Sequence, residues 1–163
     1  MRILLKRRLA MVDERNDLVI RGEQQDFKVR VSGILLDEAG RVAVNVDRYE
    51  NFVSLPGGKV KFGETSQQAV VREFSEEMGL SVSATRLIAV VENQFSYRGK
   101  LSQGIEFYWL VEVLATEKFA RDGLEQTVIW RETTDLEDLK PAVLRAILTD
   151  LPTETLHLEN KHG

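Results

Sequence analysis

A chain of 163 residues, 43% hydrophobic and 29% charged, has the balance of one globular domain with a real core and lacks the polar bias of a disordered segment. Its formal net charge of −4 excludes a general attraction to nucleic acid or to an acidic membrane surface. It has no cysteine, which excludes disulfides, zinc–thiolate sites and a thiol nucleophile; with both histidines (His157 and His162) in the polar stretch "LHLENKHG", any metal has to be held mainly by oxygen.

In chain order, the basic start "MRILLKRRLA" has too short an apolar run for a signal peptide or a membrane span, so a cytoplasmic protein with no membrane partner is expected. Residues 1–26 stand apart as an arm or an extra hairpin, "LAMV-DERND-LVIR", suited to dimer contacts, with Arg2, Lys6, Arg7 and Arg8 as a solvated basic cluster. "FKVRVSGILLD" and "RVAVNVD", separated by "EAG", predict a β-hairpin, and "FVSLP" a short strand stopped by Pro56. Gly57 and Gly58 suit a tight loop whose backbone can approach a ligand. Thr65–Met78 predicts a helix, with Gly79 at its left-handed C-cap. "TRLIAVVENQF" and "GIEFYWLVEVL" predict two strands joined by the polar loop "SYRGKLSQ", and "QTVIWRE" a last strand. "PAVLRAILTDL" predicts a helix with Pro141 in its first turn. The expected fold class is α/β, a mixed sheet sandwiched between helices, with the domain spanning 27–150 and a polar tail at 151–163.

The stretch "PGGKVKFGETSQQAVVREFSEEMGL" raises a question of charge. At about 100° per residue, Glu73, Glu76 and Glu77 share one helix sector with Ala69, and Val70, Val71, Phe74 and Met78 gather on the opposite, core-facing side. Three carboxylates so close raise one another's pKa and weaken the helix unless a cation sits among them. Carboxylate and water ligands at such spacing suit Mg²⁺, and an ordinary acidic helix face is the alternative. Arg72 flanks the sector and is placed to fix a glutamate rotamer.

Gly58, Glu64 and "REFSEEMGL" together resemble the signature of the Nudix hydrolases, G-x5-E-x7-R-E-U-x-E-E-x-G-U, with U a bulky apolar residue. Every fixed position is filled, and only Phe74 is less usual than an aliphatic residue. A chance match at a given start is on the order of 10⁻⁹. The resemblance implies the Nudix α/β/α sandwich with a mixed central sheet and a catalytic loop–helix–loop. It implies hydrolysis of the pyrophosphate linkage in a nucleoside diphosphate joined to another group, with Mg²⁺ as cofactor and Mn²⁺ as its substitute. By similarity, Glu76 and Glu77 are metal ligands, Glu73 a ligand or the base, Gly58 a carbonyl ligand, Arg72 the holder of the glutamates, and Glu64 a support of the loop–helix junction. Glu106 in "GIEFYW" is a further metal-ligand candidate.

The partner implied is a small nucleotide, with no DNA or RNA polymer, and a homodimer by analogy with the family. Tyr97, 17 residues after Leu80, tilts the substrate towards dinucleoside polyphosphates; Phe95 stands where the ADP-ribose group carries proline. Tyr97 and Phe95 are candidates to stack a base, with Arg98 and Lys100 at phosphates and Arg30 and Arg48 as further phosphate contacts. Hydrolysis of nucleoside triphosphates, ADP-ribose or nucleotide sugars, and a non-catalytic nucleotide-sensing domain, are the alternatives.

Overall fold

A computed structural model describes residues 16–114 and 126–161. Arg2, Lys6, Arg7, Arg8 and His162 lie outside the described residues.

Strands β1 (Val19–Arg21), β2 (Gln25–Leu35), β3 (Val42–Asp47), β4 (Val53–Ser54) and β5 (Gly57–Lys59) precede helix α1 (Ser66–Met78). Strands β6 (Val82–Tyr97), β7 (Lys100–Val113) and β8 (Gln126–Arg131), helix α2 (Leu144–Thr149) and strand β9 (Leu156–Lys161) follow. The larger sheet runs β1-β2-β7-β6-β9, with β5 also paired to β2. It is mixed: β2 with β7 and β6 with β9 are parallel, and the remaining pairs are antiparallel. The smaller, antiparallel sheet is β4-β3-β8.

The larger sheet buries both faces, which is why its central strands read as apolar runs rather than clean alternation. On one face α1 inserts Val70, Phe74 and Met78 against Val31, Leu35, Val82, Ala84 and Val111. On the other, Ile34, Ile88, Ala89, Val91 and Tyr108 meet the smaller sheet and α2 through Val42, Val44, Leu139, Leu144 and Leu148. Gly33 lets the helix come close, because a Cβ there would overlap the Phe74 ring.

Several sequence expectations are corrected. β2 and β3 do not form a paired hairpin: β2 is flanked by β1 and β5 on one edge and β7 on the other, so β3 leaves for the smaller sheet after a single Leu36–Val42 bridge. Gly57 and Gly58 are not a free loop; they are β5, in register with Ser32 and Val31. "LVIR" contributes β1, paired forward with β2. The "SYRGKLSQ" loop shrinks to the two-residue turn Arg98–Gly99, both at positive φ, so β6 and β7 zip to the tip as paired strands. Pro141 precedes α2 in a turn where the Leu144 amide donates to the Pro141 carbonyl, and the helix starts at Leu144. The polar tail contains β9, held by its pairing with β6, with Leu156 and Leu158 packed on the core and Asn160 buried. His157 accordingly has a partner, Glu92, with Nε2 2.7 Å from its carboxylate.

Candidate active site

Helix α1 starts at a capping box. The Gln68 amide donates to the Thr65 hydroxyl at 3.2 Å, and the Thr65 amide donates to the Gln68 side chain at 2.9 Å. It ends at Gly79 in the left-handed region, φ 64°. With both ends and the Phe74 face fixed, the acidic sector is aimed at β5. Burial differs along that sector: Glu73 is buried, Glu77 half-buried and only Glu76 of the three exposed.

Arg72 organises the glutamates. Its Nη2 donates to Glu64 Oε1 at 2.6 Å and its Nε to Glu64 Oε2 at 3.0 Å, a two-point pair. Nη1 reaches Glu73 at 2.9 Å and Glu76 at 3.1 Å, and Nη2 also donates to the Lys59 carbonyl at 3.0 Å. Hydrogen bonding to Glu64 raises the guanidinium's pKa further above its ordinary value, and the same bond holds Glu64 below the carboxylate range. Glu64 also accepts from the Lys61 amide at 2.8 Å, pinning the loop ahead of the helix. A Cβ on Gly58 would collide with the Glu73 carboxylate, so β5 backbone and helix carboxylate are in close approach.

Glu73, Glu76 and Glu77 line a cavity of about 360 Å³ with Arg30, Gly58, Lys59 and Asp17. Burial, with Glu73 and Glu76 alongside, pushes Glu77 up to about 7, against the opposing pull of Arg30. The donor set is carboxylate oxygen with the Gly58 carbonyl alongside, a hard all-oxygen set that fits Mg²⁺ or Mn²⁺ and offers no soft ligand.

Arg30 also lines a second cavity of about 290 Å³, bounded by Phe52, Phe95, Tyr97 and Pro141 and floored by Asn93, Glu106, Tyr108 and Asn160. A chain of side-chain bonds crosses the floor. Asn160 donates to Asn93 at 2.7 Å, Asn93 to Glu106 at 3.1 Å, and the Tyr108 hydroxyl to the other Glu106 oxygen.

Glu73, Glu76, Glu77, Gly58 and Arg72 come together, with Arg30 opposite. Glu106 stands in the second cavity, both carboxylate oxygens engaged, rather than among the helix glutamates. Phe95 and Tyr97 line that cavity, but Tyr97 gives its hydroxyl to Glu50 and Arg98 pairs with Glu50 at 3.3 Å. Arg48 bonds its neighbour Tyr49 at 2.6 Å and stacks on its ring at 4.7 Å; it lines neither cavity. Sequence reading missed Asn93 and Asn160. A polar residue at the inward position of "AVVENQF", in step with Ala89 and Val91, was the available signal for Asn93.

The family model described as "NUDIX domain" matches residues 26–151. The chain belongs to the NUDIX family. This Nudix hydrolase is 35% identical over 94 residues to the 8-oxo-dGTP diphosphatase of Escherichia coli (strain K12), covering 56% of this chain and 68% of that protein. It is 30% identical over 120 residues to the 8-oxo-dGTP diphosphatase of Haemophilus influenzae, covering 71% and 85%. Among solved structures, the MutT protein from Bacillus halodurans superposes with a TM-score of 0.59 at 20% identity, covering 80% of this chain and 89% of that one. An ADP-ribose pyrophosphatase from Streptococcus suis gives 0.60 at 20%, covering 81% and 98%. At such identities the structural likeness speaks for the fold: the Nudix hydrolase has the mixed α/β architecture of these neighbours.

Proposed function

We propose that the protein is a Mg²⁺-dependent pyrophosphohydrolase of nucleoside 5′-triphosphates, the base entering the second cavity and the polyphosphate lying in the acidic one. The observation that carries this reading is Arg30, which lines both cavities and so links an all-oxygen cation site to an apolar pocket of base size. The names of the two bacterial relatives point the same way.

In this reading Glu76, Glu77 and the Gly58 carbonyl hold the ion. A bound divalent cation neutralises phosphate charge and acidifies a water. Arg72 keeps Glu73 and Glu76 in the rotamers that converge on the cavity, and Glu73, buried and hydrogen-bonded, is the carboxylate positioned to accept a proton from attacking water. Arg30 offsets the negative charge of the phosphates from the sheet side.

Dinucleoside polyphosphates are the second reading, favoured by the aromatic rim of Phe52, Phe95 and Tyr97. The Tyr97 hydroxyl is committed to Glu50, which leaves only its ring face for a base. The complete acidic cluster argues for an enzyme over a nucleotide sensor. The domain limits of 27–150 and a homodimer belong to the same proposal.

The test is product analysis with Mg²⁺ or Mn²⁺ on nucleoside triphosphates, ADP-ribose, nucleotide sugars and dinucleoside polyphosphates. Highest kcat/KM on triphosphates, releasing a nucleoside monophosphate and pyrophosphate, supports the reading. Highest kcat/KM on another class replaces the substrate, and no turnover on any removes the enzyme.

A further inference from the structure

Strand register lays out the face of the larger sheet beyond the base cavity as a grid, with rows about 6.7 Å apart along the strands and columns about 4.8 Å apart across them. One row is Arg30, Glu106 and Val91, on β2, β7 and β6. The next is Lys28, Gly104 and Asn93, then Asp26, Ser102 and Phe95, and at the tip Lys100 faces Tyr97. Gly104 is required where it stands, because a Cβ would overlap the Lys28 carbonyl. Beside it lies a hollow of about 120 Å³ lined by Lys28, Arg30, Phe95, Ser102 and Glu106. A further cavity of about 220 Å³, lined by Lys100, Phe52, Tyr97 and Asp26, shares Lys28, Phe95 and Ser102 with it.

The electrostatics of this face are unbalanced. Asp26, nearly buried, lies 3.6 Å from Lys28, 3.9 Å from Lys100 and 3.3 Å from Arg21, so three cations gather on one carboxylate. Ser102 donates its hydroxyl to Asp26 at 2.7 Å and so strengthens the carboxylate rather than facing the hollow as a donor. Lys28 and Arg30 stand in successive rows on one face of β2 as like charges; burial is the main cause that lowers the Lys28 pKa, Asp26 opposes it, and Arg30 and Arg21 add smaller repulsions. An anion between them would relieve that repulsion, and Phe95 supplies an apolar wall.

We propose that the Gly104 hollow is a second anion subsite, in which Lys28 and Arg30, with Lys100 at the outer end, hold a phosphoryl group that the substrate carries away from the pyrophosphate being cleaved. The direction of the substrate rests on the proposed function above; the subsite does not. Such a phosphoryl group has two chemical sources, a phosphate on the 3′ side of the nucleoside or an additional bridging phosphate in a longer polyphosphate.

The experiment compares GTP, 3′-phosphorylated GTP and a dinucleoside tetraphosphate on the wild type, Lys28→Met and Lys28→Arg. The wild type is expected to show at least a fivefold lower KM for one of the two extended substrates than for GTP. Lys28→Met abolishes that preference with GTP kinetics within twofold, and Lys28→Arg retains it. Which extended substrate gains identifies the source of the phosphate. Equal KM for all three, or a Lys28→Met loss shared by GTP, overturns the proposal. Equilibrium binding of adenosine 3′,5′-bisphosphate against AMP, without metal, separates it from the enzymatic reading. A bisphosphate preference that Lys28→Met removes sustains the subsite even if no substrate turns over; equal binding overturns it even if triphosphates are hydrolysed.

Discussion

Arg72 and Glu64 are joined at two points, Nη2 to Oε1 at 2.6 Å and Nε to Oε2 at 3.0 Å, across eight residues of sequence. The pair ties the loop after β5 to the first half of α1, and the remaining guanidinium nitrogen, Nη1, is thereby aimed at Glu73 and Glu76. A rigid fork does both jobs at once.

A point charge cannot, which gives the first prediction. Arg72→Lys keeps the charge but loses the planar fork. It should raise the Mg²⁺ concentration needed for half-maximal activity by about 10–100-fold, the cost typical of losing a ligand's outer hydrogen bond. Half-saturation like that of the wild type would show that Arg72 does not orient the glutamates.

Gly58→Ala tests the close approach of β5 to the helix. The added Cβ meets the Glu73 carboxylate, so Glu73 must move. The expected result is a loss of about tenfold or more in kcat/KM, with far-UV circular dichroism unchanged. Full activity would mean that the position of Glu73 is not critical.

How much of this was legible in the sequence differs from element to element. Gly58, Glu64, Arg72, Glu73, Glu76 and Glu77 are legible because local helix geometry and one loop set their spacing. The assignment of β2 and β3 to different sheets is not, because it depends on β7 taking the edge of β2 from 76 residues further along the chain (Val31 with Phe107). β9 is hidden for the same reason: a polar alternating run such as "LHLENK" becomes a strand only because β6 offers it an edge. Arg48 and Arg98 look like phosphate ligands by residue type, but both find partners beside or across a turn, in Tyr49 and Glu50. The Asn160–Asn93–Glu106 chain joins three separate strands, and no local pattern announces it.

Glu77 makes the metal-free protein sensitive to pH. Its pKa is raised to about 7 in the fold, above the ordinary carboxylate value of 4.5, so the folded state binds the proton more tightly than the unfolded state. Stability from this group is therefore fully present below about 4.5, falls as pH rises towards 7, and stays low above it. Metal-free Glu77→Gln should be more stable than the wild type at pH 8, and the difference should close towards pH 4.5. Partial solvent access reduces the expected gap to about 1–2 kcal/mol. Parallel stability–pH curves from denaturant titrations would remove Glu77 as their source. Adding Mg²⁺ should reverse the order at pH 8, because only the wild type keeps the carboxylate.

The floor of the second cavity gives the last prediction. Asn93 accepts from Asn160 and donates to Glu106, so Asn93→Leu leaves the buried Asn160 amide and the half-buried Glu106 carboxylate each short of one partner. The stability cost should be about 1–3 kcal/mol, the range for one buried polar group that loses a partner. If the cavity takes the base, KM for nucleoside triphosphates should rise by about tenfold, with kcat changed by less than about threefold, since the residue lies away from the acidic cavity. Steady-state kinetics at saturating Mg²⁺, run well below the variant's melting temperature, separate the two effects. A fall in kcat at constant KM would place the base elsewhere, and the floor would then be a purely structural network.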